Sequence, residues 1–509
     1  MNQGVSTYTH ENGGRAFLLF LLFGLAIYQF VNAGFSTFAA ICLSPFIIIA
    51  AYITFKYRMA AFWALFFINY FLQWFAKNEW LPAGIPMSLY NEMLEILLLV
   101  VAIIDARKNP HFERTANLML YALIMWCGFC TLEVLNDTCG LGINVGAWYQ
   151  GARMMAFQLM YAFLVFSIYI DSPKVLVQYL YFWAFLSLFT VFYTWKQIHI
   201  GFSPAEDAWL HNVGASTHII QGGTLIRYFS THNDAANFGI GIASTALAFF
   251  IFSITNKIKK FRYFFLISGV LCVWAMFQSG TRTAIACMAA GVMVYVVLSK
   301  SVRIATSVAI LGGLAFFLLA FTNIGQGNQQ IRRMRSAFNK NDASANVRTI
   351  NQQTMKKYMK EAPWGIGIGM GRDNVPANNK YTLMSTIAPD SEYVFIWLRT
   401  GQVGITLFIF TMLLMLGGAC WVVMFRIESP SLRGIGAGFC CAFVSMQLGG
   451  YGNQVLMQFP NCLLFYGGLT IVYILPFMEK EWSEYEAKEL AIQAEKERLK
   501  LEKKKAKRV

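Results

Sequence analysis

Two arginines stand where apolar segments begin, and their chemistry suits a doubly charged anion. Arg227 lies in LIRYFSTHNDAANFG, ahead of the polar run His232, Asn233 and Asp234, and Arg282 lies in QSGTRTAI. A guanidinium group offers a planar fork of donors that matches a diphosphate bidentately. A single charged residue at such a place is also explained by snorkelling toward water. Two arginines from different helices on one side favour an anion site, in which they would stabilise the charge on a departing diphosphate.

Three titratable side chains are candidates for proton transfer beside these arginines. The segment PDSEYVFIWLRTGQVG carries Asp390 and Glu392, and His232 follows Arg227 by five residues. Asp, Ser and Glu in this order are also typical of a helix N-terminus, where they cap backbone amides and suit the helix dipole. If Asp390 or Glu392 faces the same cavity as the arginines, it can act as a general base toward an acceptor hydroxyl. The histidine spacing matches no compact zinc pattern, so no metal is expected.

The composition places these residues in an integral membrane protein. Of 509 residues, 57% are hydrophobic and only 13% are charged, which is about half the ~25% charged share of soluble domains. Apolar stretches of spanning length predict an all-α polytopic membrane protein with about 14 transmembrane helices, within a range of about 12–14. The stretches lie at about 16–31, 35–55, 60–76, 88–104, 116–135, 154–170, 175–195, 235–255, 263–278, 283–299, 303–322, 401–425, 432–450 and 461–477.

Short loops rich in lysine and arginine alternate with loops that contain few of either, and this pattern predicts the orientation. The positive-inside rule places the basic loops, such as 256–262, and both termini in the cytoplasm. A transmembrane bundle over 1–478 then carries two outward loops, 196–234 and the long periplasmic loop 323–392. The charged segment 479–509 predicts a solvated cytoplasmic C-terminal helix.

The long loop 323–392 carries more positive charge than the topology requires, with ten Lys or Arg and five Asp or Glu residues. Phosphate-bearing lipids or sugars are natural partners for this excess, although a merely solvated loop also accounts for it. Segment 344–360, which contains Arg348, alternates charged and apolar residues and predicts an amphipathic helix on the membrane surface. The run EAPWGIGIGMG at 361–371 lacks the Lys-Ser/Thr of a phosphate-binding loop, and predicts a tight, closely packed turn back to the membrane.

Taken in order, these motifs resemble the O-antigen ligase and O-antigen polymerase superfamily, integral membrane glycosyltransferases that use undecaprenyl-diphosphate-linked glycans. The resemblance covers roughly residues 220–425. It rests on an Arg followed by a polar, Asn-containing start of a span (Arg227 to Asn237), a Ser-Gly-x-Arg helix start (Ser279 to Arg282), a Pro-x-Gly-x-Gly element in a long outward loop (Pro363 to Gly371), and a span with a Tyr and a later Gly-x-x-Gly (Tyr393, Gly401, Gly404).

This resemblance implies a multi-pass glycosyltransferase of the bacterial inner (cytoplasmic) membrane. It would transfer or polymerise undecaprenyl-diphosphate-linked glycan on the periplasmic side, in lipopolysaccharide or surface polysaccharide biosynthesis. Arg227 and Arg282 would bind the diphosphate while an acceptor hydroxyl displaces it, without a nucleotide sugar, cofactor or metal. Arg348 of the long basic loop is a further candidate for binding the diphosphate. The implied partners are the lipid-linked donor, a glycan or lipid A-core acceptor and membrane lipids, and no nucleic acid.

One position departs from the family pattern. Ligases of this family usually show His-Asn before the aromatic residue, where this chain has Asp390-Ser391. Three interpretations follow: His232 substitutes for the missing histidine, the protein is a polymerase, or it is a divergent ligase that uses Asp390 or Glu392. A transporter or flippase of lipid-linked glycans is the alternative from another class, but carriers bind near the bilayer midplane, whereas the charged residues here cluster at the outer rim.

Overall fold

The computed structural model describes most of the chain from residue 52 onward. The chain divides into two compact units, residues 1–63 and residues 64–509. Of the first unit, only scattered residues and the stretch from 52 are described, so the architecture below is that of the second unit. The described residues are 20, 21, 23–25, 27, 28, 45, 48, 49, 52–81, 87–104, 110–220, 225–325, 327, 329–335, 343–387, 389 and 391–506.

The described residues fold almost entirely into helices, as the sequence predicts. The first half contains α1 (Arg58–Lys77), α2 (Met87–Ile104), α3 (Leu118–Leu132), α4 (Val145–Ala152), α5 (Gln158–Tyr169), α6 (Pro173–His199), α7 (Pro204–Asn212), α8 (Ala215–His218) and the strands β1 (Ile219–Ile220) and β2 (Leu225–Ile226). The second half contains α9 (Ala235–Thr255), α10 (Lys259–Gln278), α11 (Thr283–Ser299), α12 (Val302–Phe321), α13 (Gln329–Arg335), α14 (Ala343–Met359), α15 (Thr382–Thr386), α16 (Glu392–Phe425), α17 (Pro430–Gly452), α18 (Asn461–Ile474) and α19 (Glu479–Ala506).

Ten of the helices in the described part of the chain are long and apolar enough to cross a membrane, and α11 is a shorter apolar helix. The chain is therefore a multi-pass membrane protein. Predicted spans at 16–31 and 35–55 lie largely outside the described residues. Two spans begin earlier than predicted: α4 and α5 form one stretch from Val145 through a π-helical turn at Arg153–Phe157, and α16 already begins at Glu392.

Helix α9 is the centre of the bundle, because small residues let its neighbours approach closely. It packs against α10, α11 and α17, and most of its residues are buried. Gly239 faces Ser279 and Thr281 so closely that a methyl group in its place would overlap both. Ser244 donates a hydrogen bond to Ser445 of α17 over 2.8 Å. Small residues and interhelical hydroxyls are the usual means of joining helices where no hydrophobic effect acts between them.

The glycine-rich turn at 361–371 packs onto a break in α16, which agrees with the close packing predicted for it. Inside α16, Gly401 has φ 67° and ψ −165°. The backbone amides of Ile366 and Gly367 donate to the carbonyl groups of Leu398 and Arg399. A side chain at Gly401 would overlap the carbonyl group of Pro363. Glycine is therefore required for the break and for the contact.

Helix α14 confirms the predicted helix over 344–360, but part of its apolar face contacts protein. Met355 and Met359 are buried in a cluster that we call the loop core, whereas Ile350 is exposed. The short helices of the long loop are thus held by a core of their own. The buried members of this core are Cys139, Met355, Met359, Ala362, Ile366, Met370, Val375, Tyr381, Met384 and Leu398.

The C-terminal helix α19 docks through its first turns. Glu479 accepts hydrogen bonds from the backbone amides of Glu428 and Ser429. Trp482 is fully buried and donates its indole N–H to Ser431 over 2.9 Å. The charged helix predicted for 479–509 is therefore attached to the loop between α16 and α17.

Candidate functional site

A short hairpin and the start of α9 position Arg227. Strands β1 and β2 pair antiparallel, with Ile219 opposite Ile226, and Arg227 follows directly. The amide of Arg227 donates to the carbonyl group of His218 over 2.9 Å, and the amide of Tyr228 donates to that of Gln278 over 3.2 Å. These bonds join the segment before α9 to the end of α10. The fold thereby brings Arg227 next to the segment that contains Arg282.

The side chain of Arg227 is fixed by three hydrogen bonds. Its Nε donates to the carbonyl group of Ser279 over 3.1 Å, Nη1 donates to that of Thr217 over 2.8 Å, and Nη2 donates to the hydroxyl of Thr281 over 3.1 Å. Burial lowers the pKa of Arg227 to about 10, and the positive charge of Arg333 contributes to the lowering. The guanidinium remains charged at neutral pH and lies in an environment that favours a bound anion.

Arg282 lies at the N-terminus of α11, beside the same site. It is the N-cap residue of this helix, and Thr281, Arg282 and Thr283 line one cavity with Arg227. Gly280 has φ +56°, and a Cβ atom there would lie 3.2 Å from Cγ of Arg227. A helix N-terminus presents backbone amides and a positive dipole end to an anion. The structure thus brings together the two arginines that the sequence predicts to form a pair.

The cavity has a volume of about 310 Å³ and includes a third arginine, Arg333 of α13. Arg333 is one of the ten basic residues of the long loop, and the sequence alone predicts no particular role for it. The excess charge of that loop was the available signal, because it indicated that some of its cations face an anion. The lining residues are Thr217, His218, Arg227, Asp234, Ala236, Ile240, Gly280, Thr281, Arg282, Thr283, Arg333, Gly452 and Asn453.

Both titratable non-arginine residues of this cavity, Asp234 and His218, are held by the start of α9. Asp234 caps the helix and accepts from the amides of Ala236 and Asn237 over 2.7 and 2.9 Å. Nε2 of His218 accepts from the amide of Ala235 over 3.0 Å, so Nδ1 carries the proton that faces the carbonyl oxygen of Gly214. Burial, with the charge of Arg227, lowers the pKa of His218 to about 4. His218 is therefore a neutral residue whose two ring nitrogens are already engaged.

His232 is not among the residues that line the cavity. Its ring is buried between Tyr70 and Phe238, with ring centroids 6.4 and 5.4 Å away. Burial lowers its pKa to about 3, so the imidazole is neutral at physiological pH. Because it does not line the cavity, the predicted role of His232 as a base has no direct route to a group bound by the arginines.

Glu392 also lies outside the cavity lining. It is 1% exposed, and its Oε2 accepts from the backbone amides of Val455 and Leu456 over 3.3 and 3.0 Å. These bonds fix the loop that follows Asn453, a residue of the cavity wall. Glu392 thus contacts the segment that follows the lining residue Asn453 in the chain. Of the other predicted site residues, Asp390 is outside the described residues, and the side chain of Arg348 is likewise outside them although its backbone belongs to α14.

A larger cleft lies elsewhere, between α3, α16 and α18. Its volume is about 800 Å³, and its lining is mostly apolar, with Leu413, Trp421 and Phe477. Arg426 is its charged residue among the described lining. We place the functional site in the smaller cavity, because three arginines and a helix N-terminus converge there, whereas size alone indicates no chemistry.

The fold and the cavity define a multi-pass, mostly helical membrane protein with a cavity that three arginines line where α9 and α11 begin. Residues 267–409 match the family model described as O-antigen ligase. This match confirms the resemblance found in the sequence and supports the O-antigen ligase and polymerase superfamily. It includes Arg282, Arg333 and Glu392, whereas Arg227 lies before it. A search of curated proteins found no match. The match supports an O-antigen ligase-type, glycosyltransferase-type enzyme whose substrates are, in general, lipid-linked glycans and polysaccharides.

Proposed function

We propose that the protein is an inner-membrane glycosyltransferase of the O-antigen ligase or polymerase type. In this proposal the cavity faces the periplasm and binds the diphosphate of an undecaprenyl-diphosphate-linked glycan. An acceptor hydroxyl attacks the anomeric carbon of the sugar, and the carbon–oxygen bond to the diphosphate breaks. The transferred or polymerised glycan enters lipopolysaccharide or another surface polysaccharide.

The observation that carries the proposal is the convergence of Arg227, Arg282 and Arg333 on one cavity. A leaving diphosphate gains negative charge as its bond to the sugar breaks. Guanidinium groups that are already oriented stabilise this charge without reorganisation during the reaction. For Arg227 the orientation is supplied by Thr217, Ser279 and Thr281, which hold its nitrogens from three sides.

Transfer by the purified full-length protein tests the proposal. The protein is given undecaprenyl-diphosphate-linked oligosaccharide with a labelled glycan, together with lipid A-core or a second lipid-linked glycan as acceptor. We expect labelled product, and we expect Arg227→Ala and Arg282→Ala each to lower its formation by roughly 10²-fold or more. A labelled lipid A-core identifies a ligase, whereas longer lipid-linked chains identify a polymerase.

Arg426→Ala is the matched control, because it removes an exposed arginine from the larger cleft and leaves the cavity unchanged. We expect it to retain wild-type transfer. Full transfer by both folded cavity variants would refute the role of the arginines. Movement of the lipid-linked glycan across vesicle membranes without any covalent product would instead identify a transporter.

A further inference from the structure

Asp234 places a carboxylate inside the arginine-lined cavity. Its Oδ1 accepts from the amides of Ala236 and Asn237, and Asn453 approaches the same atom over 3.3 Å. Its Oδ2 accepts from Nδ2 of Asn237 over 2.6 Å. A carboxylate oxygen has two lone pairs, so Oδ2 keeps an acceptor position beyond this bond. Asp234 is itself one of the residues that line the cavity.

The other described candidates for a base are less well placed than Asp234. His218 uses both ring nitrogens, one toward the amide of Ala235 and one toward the carbonyl group of Gly214. His232 is buried against aromatic rings away from the cavity lining. Glu392 does not line the cavity, and its Oε2 accepts from the backbone amides of Val455 and Leu456. Among the described lining residues, Asp234 is the carboxylate that lies with the arginines.

We propose that Asp234 is the general base of this site, an inference that rests on the proposed glycosyl transfer. The acceptor hydroxyl oxygen forms a bond to the anomeric carbon while the bond from that carbon to the diphosphate oxygen breaks. The electron pair of the broken bond goes to the diphosphate, which the arginines hold. The proton of the hydroxyl goes to Oδ2 of Asp234. A carboxylate in this role accepts the proton as positive charge develops on the attacking oxygen.

The bonds to Oδ1 make Asp234 a rigid base. The two backbone amides and the amide of Asn453 hold one oxygen, and Nδ2 of Asn237 holds the other, so rotation of the carboxylate is restricted. Asn453 is followed closely in the chain by Val455 and Leu456, whose backbone amides donate to Glu392.

Asp234→Asn removes the proposed base and keeps the helix cap. Asparagine caps helices as well as aspartate does, because its Oδ1 accepts the same amides. Its Nδ2 would face Nδ2 of Asn237, but Oδ1 of Asn237 is buried without a hydrogen-bond partner, so rotation of the Asn237 amide restores a donor–acceptor pair. We expect unchanged thermal stability, retained donor binding and a fall of about 10²–10⁴-fold in turnover. Turnover within twofold of wild type would overturn the proposal.

Asp234→Gly provides an independent measurement. Glycine is tolerated at an N-cap position with little loss of helix stability, and it leaves space for a small carboxylate. We expect this variant to be inactive, and we expect added formate to restore part of the turnover in a concentration-dependent way. An inactive Asp234→Gly variant that formate does not rescue would assign Asp234 a structural role and overturn the proposal.

Ser301→Ala is the control for loss of a helix cap. Ser301 caps α12 by accepting from the amide of Ile304, beyond the end of α11 that is remote from the cavity. We expect it to transfer glycan at the wild-type rate. The two proposals fail differently: absence of transfer by the wild-type protein contradicts the proposed function, whereas wild-type transfer with an active Asp234→Asn variant contradicts only the base.

Discussion

The position of Arg227 depends on the residue that faces it. Gly280 has φ +56° and leaves room for the Arg227 side chain, since a Cβ atom would lie 3.2 Å from its Cγ. We expect Gly280→Ala to destabilise the protein by about 1–2 kcal/mol through backbone strain. We also expect the rate of glycan transfer to fall by more than the loss of folded protein explains, because the guanidinium is displaced. Thermal unfolding in detergent and the transfer assay measure the two effects, and unchanged transfer would show that the position of Arg227 does not matter.

The buried side chain of His232 makes the stability of the folded protein depend on pH. The pKa of His232 is lowered to about 3 by burial, so the unfolded chain takes up a proton near pH 6.5 that the folded protein does not. Protonation of His232 in the unfolded chain therefore does not lower the free energy of unfolding above about pH 6.5, and it lowers this free energy increasingly as the pH falls toward 3.

At pH 5 the contribution of His232 to this loss is up to about 2 kcal/mol. His232→Phe keeps an aromatic ring between Tyr70 and Phe238. We expect its melting temperature to fall less than that of wild type between pH 7 and pH 5. His218 contributes with the same sign and remains in both proteins. Equal decreases would contradict the assignment.

At the residue level, the sequence predicted the arginine pair, because each arginine adjoins the start of an apolar segment. The structure places Arg227 and Arg282 on one cavity, and their role in binding a diphosphate stays a prediction. The sequence could not show that Glu392 faces backbone amides, since one residue at a helix start serves equally as a cap, a base or a buried anchor. Arg333 was missed because position along a long loop does not determine which of its many cations reaches the site.

Among the helices, α16 contains a break at Gly401 that requires glycine. The combination of φ 67° and ψ −165° is accessible essentially to glycine alone, and a side chain would overlap Pro363. We expect Gly401→Ala to destabilise the protein by about 3 kcal/mol or more, since strain adds to overlap. Gly417→Ala is the matched control in the same helix, because no atom lies within 4 Å of its added methyl group.

The control variant should be neutral or slightly stabilising, since alanine is preferred over glycine inside a helix. Thermal unfolding of both variants measures the difference. If Gly401→Ala and Gly417→Ala unfolded at the same temperature, the contact between α16 and the glycine-rich turn would not contribute to stability.

For the secondary-structure elements, hydrophobic length was sufficient to predict most of the long helices, although two of them begin earlier than predicted, and the glycine-rich run was sufficient to predict the tight turn at 361–371. Such patterns were insufficient for α14, whose Met355 and Met359 pack into the loop core. An amphipathic helix has the same pattern whether its apolar face meets lipid or protein. The β1–β2 hairpin was also missed, because strands of two residues are too short to show an alternation.

The whole molecule combines an apolar bundle with a compact group of cations at one end. The net charge of the chain is +15, and the long loop 323–392 contributes an excess of positive charge to it, with ten Lys or Arg against five Asp or Glu residues. The structure gives part of this excess a position, since Arg333 of that loop meets Arg227 and Arg282. The meeting could not be predicted, because it brings together three segments that are distant in sequence.

The central claim is that Arg227 and Arg282 hold the same diphosphate, and a double-mutant cycle on kcat/KM tests it most directly. Transfer is measured for wild type, Arg227→Ala, Arg282→Ala and the double variant. Residues that contact one ligand show interaction energies of about 0.5–3 kcal/mol. We predict that the second substitution has a smaller effect once the first is present, because the diphosphate has already lost its fixed position. Strictly additive effects of the two substitutions would contradict a shared site.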